Sequence, residues 1–81
     1  MAQHMLNVSI ASIAEPLFVG EADSITVPGV SGEMTILANH EACITTLKPG
    51  TVTVRVQGEK KQFNVTHGVL EVSNNTANVL L

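Results

Sequence analysis

The densest chemistry in the chain is His40-Glu41-Ala42-Cys43, three potential metal ligands within four residues, with His67 further along. Zinc sites usually take their ligands in pairs at repeated spacings, such as two CxxC units. A single His-x-x-Cys with no second pair falls short of that pattern. The expected roles are therefore a loop histidine, an exposed glutamate and a half-buried thiol behaving as a small hydrophobe. The same residues could make a nucleophilic pair, Cys43 with His40 or with His67. Such a thiolate needs a neighbouring cation or helix N-terminus, an orienting third group and an oxyanion site. The sequence offers none of them.

Seven carboxylates allow many pairs, but acid–base work needs two in opposed environments facing a cleft. Glu15, Glu21, Asp23, Glu59 and Glu71 fall at turns or outward strand positions. Glu33 differs, because it follows Pro28-Gly29-Val30-Ser31-Gly32, a glycine-punctuated tip. A carboxylate there reads as a contact for a basic partner. The glycines are no phosphate cradle, since neither a Lys-Ser/Thr pair nor a strand-to-helix step follows. Asn7, Asn64 and Asn74 each open an Asn-x-Ser/Thr triplet, expected by chance in a chain rich in Asn and Thr. Lys60-Lys61 reads as a charge pair that keeps a hairpin edge soluble. No catalytic residue, metal site or cofactor is expected.

Composition narrows the class further. Hydrophobic residues make up 44% of the 81 positions and charged residues 14%, which argues against disorder. There is no Trp or Tyr and only two Phe, so base stacking has no platform, and the net charge of −3 has the wrong sign for tracking phosphates. Nucleic acid is thereby excluded as a partner. One Cys makes no internal disulfide, which points to a reducing compartment. No apolar run approaches the roughly 20 residues that span a bilayer, and no basic segment leads into a long apolar one, so direct membrane insertion and a signal peptide are not expected. The length predicts one domain over residues 1–81 with a folded surface of about 4,700 Å². Met5 offers an alternative native start, which would make Met1–His4 vector-derived.

The elements that must position these residues are strands. Leu6, Val8 and Ile10 alternate with polar or small neighbours, as do Ile25 and Val27, Val52, Val54 and Val56, Phe63 and Val65, and Leu70 and Val72. Period-2 alternation puts one face of each strand in a core and the other in water. Turn signals recur at Glu15-Pro16, Val19-Gly20, Pro28-Gly29, Ser31-Gly32, Pro49-Gly50, Gln57-Gly58, His67-Gly68 and Asn74-Asn75. Spacings of roughly 8–12 residues between such signals suit a sandwich or barrel. Strands are expected over 5–11, 16–21, 23–28, 33–37, 43–47, 51–57, 61–65, 68–73 and 76–80. Helix and strand periods both fit parts of 33–47. The fold class is all-β.

Taken together, Ile25-Thr26-Val27-Pro28-Gly29-Val30-Ser31-Gly32-Glu33, then Ile36-Leu37, His40 and Thr46-Leu47-Lys48-Pro49-Gly50, resemble the epsilon chain of F-type ATP synthases. Phe63 to Val72, with its Gly68-Val69-Leu70-Glu71-Val72 block, and the closing stretch from Asn74 to Leu80 extend the likeness over nearly the whole chain from Met5. The resemblance implies a flattened, jelly-roll-like β-sandwich of about ten short strands, the N-terminal domain of epsilon. It implies a non-catalytic rotor part, seated on the gamma subunit and on the polar loops of the c-ring, at the cytoplasmic face of a bacterial inner membrane or its organellar equivalent. Ser12, His40 and Thr45 would face gamma. The loop Gly29, Val30, Ser31, Gly32 and Glu33 would face the c-ring.

Two departures accompany the likeness. The family's Leu-Pro-x-His-Ala-Pro pattern stands here as Leu37-Ala38-Asn39-His40-Glu41-Ala42-Cys43, and losing both prolines frees φ around His40. The chain also stops at Leu81, where the family usually continues into a two-helix domain, so that hairpin is expected to be absent, by nature or by truncation. A coupling part docked on two partners should carry one broad apolar patch. A stand-alone ligand-binding sandwich would instead show a concave pocket of about 300 Å³ or more.

Overall fold

The computed structural model describes residues 5–39 and 42–81. Nine strands and no helix occur among them: β1 (Leu6–Ala11), β2 (Pro16–Ala22), β3 (Ser24–Gly29), β4 (Gly32–Leu37), β5 (Cys43–Leu47), β6 (Gly50–Val56), β7 (Glu59–Val65), β8 (Gly68–Ser73) and β9 (Thr76–Leu80). Nine strands stand beside the ten or so implied by the resemblance. Each expected strand is present, and the ends move by one or two residues. The ambiguous 33–47 stretch resolves into β4 and β5, because Met34, Ile36, Cys43, Thr45 and Leu47 turn inward with period 2.

The strands form one path, β2-β1-β9-β8-β5-β3-β6-β7, with β4 on the free side of β3. The path folds over into two layers, β2-β1-β9-β8-β5 and β4-β3-β6-β7. All pairings are antiparallel except β1 with β9, whose parallel register runs from Asn7–Thr76 to Ala11–Leu80. The corner between the layers is β3. Its Ser24–Thr26 half pairs with β6, while Gly29 at its other end pairs with Leu47 of β5. The molecule measures 38 × 23 × 20 Å.

The core lies between the layers. Leu6, Val8, Ile10, Leu70, Val72, Ala77 and Val79 from one layer meet Ile25, Val27, Ile36, Val52, Val54 and Val65 from the other, all buried. Aliphatic, largely β-branched side chains fill it, which suits a pleated half-buried surface. The only two aromatic residues stand at the open seam, Phe18 on β2 and Phe63 on β7, half-buried against this core.

Turns close with the residues that tolerate them. Gln57 and Gly58 (φ 51° and 85°) join β6 to β7, and Asn74 and Asn75 (φ 48° and 60°) join β8 to β9. Two successive positive φ values fit the twist of a two-residue hairpin. Asp23 fastens the first of these turns: its Oδ2 accepts the Gln57 N–H at 2.9 Å, and its own N–H donates to Arg55 O at 2.7 Å. Asn75 fastens the second. Its Oδ1 accepts the Asn39 N–H at 2.8 Å, its Nδ2 donates to Met5 O, and its carbonyl accepts the Asn7 N–H at 3.0 Å.

Candidate functional site

The strand directions put four connections at one end of the sandwich. They are the Ser12–Glu15 turn, the Val30-Ser31 tip of the β3–β4 hairpin, the Lys48-Pro49 corner and the Thr66-His67 link. At the tip, Gly29 faces Gly32 across the ladder, neither Val30 nor Ser31 takes positive φ, and Gly32 makes the turn at φ 134°. Only glycine adopts that conformation readily. Glu33 is the next residue, exposed at the start of edge strand β4 opposite Pro28.

The tip is fastened to the neighbouring corner. Val30 N–H donates to Thr46 O, and Lys48 N–H donates to Pro28 O, both at 2.9 Å. A Cβ added at Gly29 would stand 2.8 Å from Gly32 O and 3.1 Å from Thr45 Cγ2. One added at Gly50 would stand 2.8 Å from Pro28 Cβ. Both glycines are required by close approach. The exposed Glu33 carboxylate is thus carried by a hairpin packed against β5 and β6.

Of the residues expected to face gamma, Thr45 lies beside this tip, on the inward row of β5 opposite Leu70. Its hydroxyl donates to Met34 Sδ of β4 at 3.4 Å. Ser12 lies at the same end of the molecule but on the far side of its layer. β9 and β8 intervene between β1 and β5, three strand spacings or about 14 Å. The Ser12 hydroxyl is committed to its own turn, accepting from Ala14 and Glu15 N–H and donating to Glu15 O, each at 3.2 Å. His40 and Glu41 lie outside the described residues.

Cys43 and His67 do not meet. Cys43 pairs with Val72, while His67 precedes Gly68, the partner of Leu47, so five residues of strand or about 17 Å separate them. His67 instead has its Nδ1 3.1 Å from the Thr66 hydroxyl. Among the described residues no three of His, Cys, Asp and Glu come together, and no helix is long and apolar enough to cross a membrane. A shallow depression of about 190 Å³ lies over β1 and β2, lined by Ser9, Val19 and Glu21 among others. It is smaller than ordinary ligand pockets.

The two outer faces differ in chemistry. On β4-β3-β6-β7 the central outward row is Thr35, Thr26, Thr53 and Gln62, with Thr26 and Thr35 hydroxyls 3.0 Å apart and Gln62 Nε2 3.4 Å from Thr53 Oγ1. On the other layer, Val69 stands beside Leu80, and Ile44 lies one step along on β5. Ile44 is 72% exposed and Leu80 57%, and Val19 lies across the same face at 72%. No composition or period signal distinguished these faces. Only the pairing of β5, β8, β9, β1 and β2 brings these apolar residues onto one face, where Glu71, Asn78 and Ser9 lie between Ile44 and Val19.

Residues 5–81 match the family described as ATP synthase, Delta/Epsilon chain, beta-sandwich domain. The chain belongs to this family. Among delta/epsilon relatives, the ATP synthase epsilon chain of Leptospira borgpetersenii is 43% identical over 81 residues, 99% of this chain and 63% of that one. The epsilon chain of Janthinobacterium sp. is 38% identical over 79 residues, 95% of this chain and 56% of that one. The chain thus spans somewhat over half the length of these epsilon chains. A chain in the cryo-EM structure of the Euglena gracilis mitochondrial ATP synthase OSCP/F1/c-ring complex superposes with a TM-score of 0.89 at 25% identity, covering 96% of this chain and 51% of that one. A chain of the Tetrahymena thermophila mitochondrial central stalk/c-ring structure shares the fold at TM-score 0.80, with 20% identity. The delta/epsilon sandwich is therefore the fold that the residues of β3, β5 and β8 suggested.

Proposed function

We propose that the chain is the β-sandwich part of a non-catalytic rotor subunit, the epsilon chain of an F-type ATP synthase, joining the gamma subunit to the membrane c-ring. The family match over residues 5–81 carries this reading, and the 0.89 TM-score to a chain of an F1/c-ring complex supports it. In that role the domain passes ion-driven rotation of the ring to the central stalk. It works as a peripheral protein on the cytoplasmic face of a bacterial inner membrane, in keeping with the bacterial sources of its curated relatives.

Ser12, His40 and Thr45 face gamma in this proposal, and Gly29, Val30, Ser31, Gly32 and Glu33 face the polar loops of the c-ring. The exposed Glu33 carboxylate on its fastened hairpin suits a basic group on those loops. Torque transfer needs stiffness, and a close-packed aliphatic core resists compression. Two interfaces of ordinary size, each taking about 800 Å² from this partner, would cover about a third of its 4950 Å² surface. The outward Ile44, Val69 and Leu80 group offers apolar area for such contacts.

The test is assembly. The purified 81-residue chain is mixed with gamma subunit and with c-ring in detergent, and co-sedimentation is measured. Binding to gamma with micromolar or tighter affinity is expected; a chain that sediments alone in both mixtures sinks the proposal.

A further inference from the structure

Thr45 contacts both strands of the Glu33 hairpin. Its Cγ2 lies 3.1 Å from where a Cβ on Gly29 would sit, so the methyl group packs on the Gly29 backbone. Its hydroxyl bonds Met34 Sδ, on the strand that carries Glu33. The adjacent residue Thr46 accepts the Val30 N–H at the tip. Thr45 also pairs with Leu70, which is fully buried, so its strand is tied to the five-stranded layer. Beside the Val30–Thr46 and Lys48–Pro28 backbone bonds, the β3–β5 ladder holds only the Gly29–Leu47 pair, so Thr45 supplies the side-chain packing between β5 and the hairpin.

We infer that Thr45 is a positioning residue, the joint through which the Gly29–Glu33 tip is made rigid with the five-stranded layer. The inference rests on the rotor reading for its use, and it gives Thr45 a second role beside the proposed gamma contact. Packing carries it more than the hydrogen bond does: a thioether sulfur is a weak acceptor, whereas a methyl in a tight groove has no substitute. Thr45→Val, which keeps both branches of the side chain, should hold the tip. Thr45→Ser and Thr45→Ala, which remove the methyl, should release it. A residue needed only for the bond would show the reverse order.

Amide hydrogen exchange on the 81-residue chain reads this directly. In the wild type, Val30 and Lys48 amides should be protected to within about tenfold of the Leu70 and Val79 amides. Thr45→Ala and Thr45→Ser should speed Val30 exchange about tenfold or more with Leu70 unchanged, and Thr45→Val should shift it by less than about twofold. Equal loosening at Val30 and Leu70, or no change at Val30 in Thr45→Ala, overturns the joint. A second arm places the variants in the assembled ATP synthase: proton-driven synthesis should fall in Thr45→Ala and recover in Thr45→Val. If the exchange pattern holds but no variant or wild-type chain binds gamma, the rotor reading fails and the joint stands. If gamma binds and exchange is unmoved, the joint alone fails.

Discussion

Phe18 and Phe63 stand with their ring centroids 6.4 Å apart and their planes inclined at 59°. One sits on β2 and the other on β7, the two ends of the strand path, so this tilted pair closes the sandwich at its open seam. Tilted rings at this distance gain from edge-to-face electrostatics as well as from burial. At the opposite seam, β5 meets β4 through Thr45 and Met34.

Because the seam has no ladder, removing one ring should cost about as much as a half-buried aromatic elsewhere. Phe63→Ala is expected to lower stability by about 2–3 kcal/mol in urea unfolding, with Phe63→Leu retaining most of it. A loss below about 0.5 kcal/mol would mean that the seam is held by the flanking aliphatics alone.

Gly68 and Gly32 both adopt φ values that other residues avoid, 150° and 134°, but in different surroundings. A Cβ at Gly68 would stand 2.8 Å from Leu81 Cδ2 and 2.9 Å from Leu80 O, whereas one at Gly32 meets nothing within 4 Å. Gly32→Ala should therefore cost about 1–2 kcal/mol of backbone strain, and Gly68→Ala about 1–2 kcal/mol more. Thermal unfolding of the two variants side by side checks the order, and equal losses would refute it.

Asn75 combines a positive φ with three ties between distant segments. Asn75→Gly keeps the turn and loses only the side-chain bonds, so it should cost about 1–2 kcal/mol. Asn75→Ala adds the left-handed penalty and should cost about 1 kcal/mol beyond that. Equilibrium denaturation of the pair separates the two terms, and an alanine variant no worse than the glycine one would contradict the turn geometry.

Glu33 is exposed and makes no ion pair among the described residues, so its charge is free for a partner. Glu33→Lys should change the stability of the isolated chain by less than about 0.5 kcal/mol. In the assembled ATP synthase it should weaken proton-driven synthesis, with Glu33→Asp close to wild type. Unchanged proton pumping in the lysine variant would remove the assigned c-ring contact.

Much of this protein was legible along the chain. The alternation of Leu6-Val8-Ile10, Val52-Val54 and Leu70-Val72, and turns at Gln57-Gly58 and Asn74-Asn75, located nine strands and their buried faces. Those signals are local, since a side chain's face and a turn's φ depend on near neighbours. Partner choice between strands was not legible, because backbone ladders bond alike whatever side chains they carry. Hence the parallel β1–β9 pair, joining residues about seventy positions apart, appears only in three dimensions. The same holds for the face that gathers Ile44, Val69 and Leu80, for the corner where β3 changes layers, and for Thr45 lying against the Glu33 hairpin while Ser12 stands across the sheet. Composition and period determined what each strand shows to water and what it hides. Only tertiary packing decided which strands lie side by side, since that choice is made by complementary surfaces far apart in the chain.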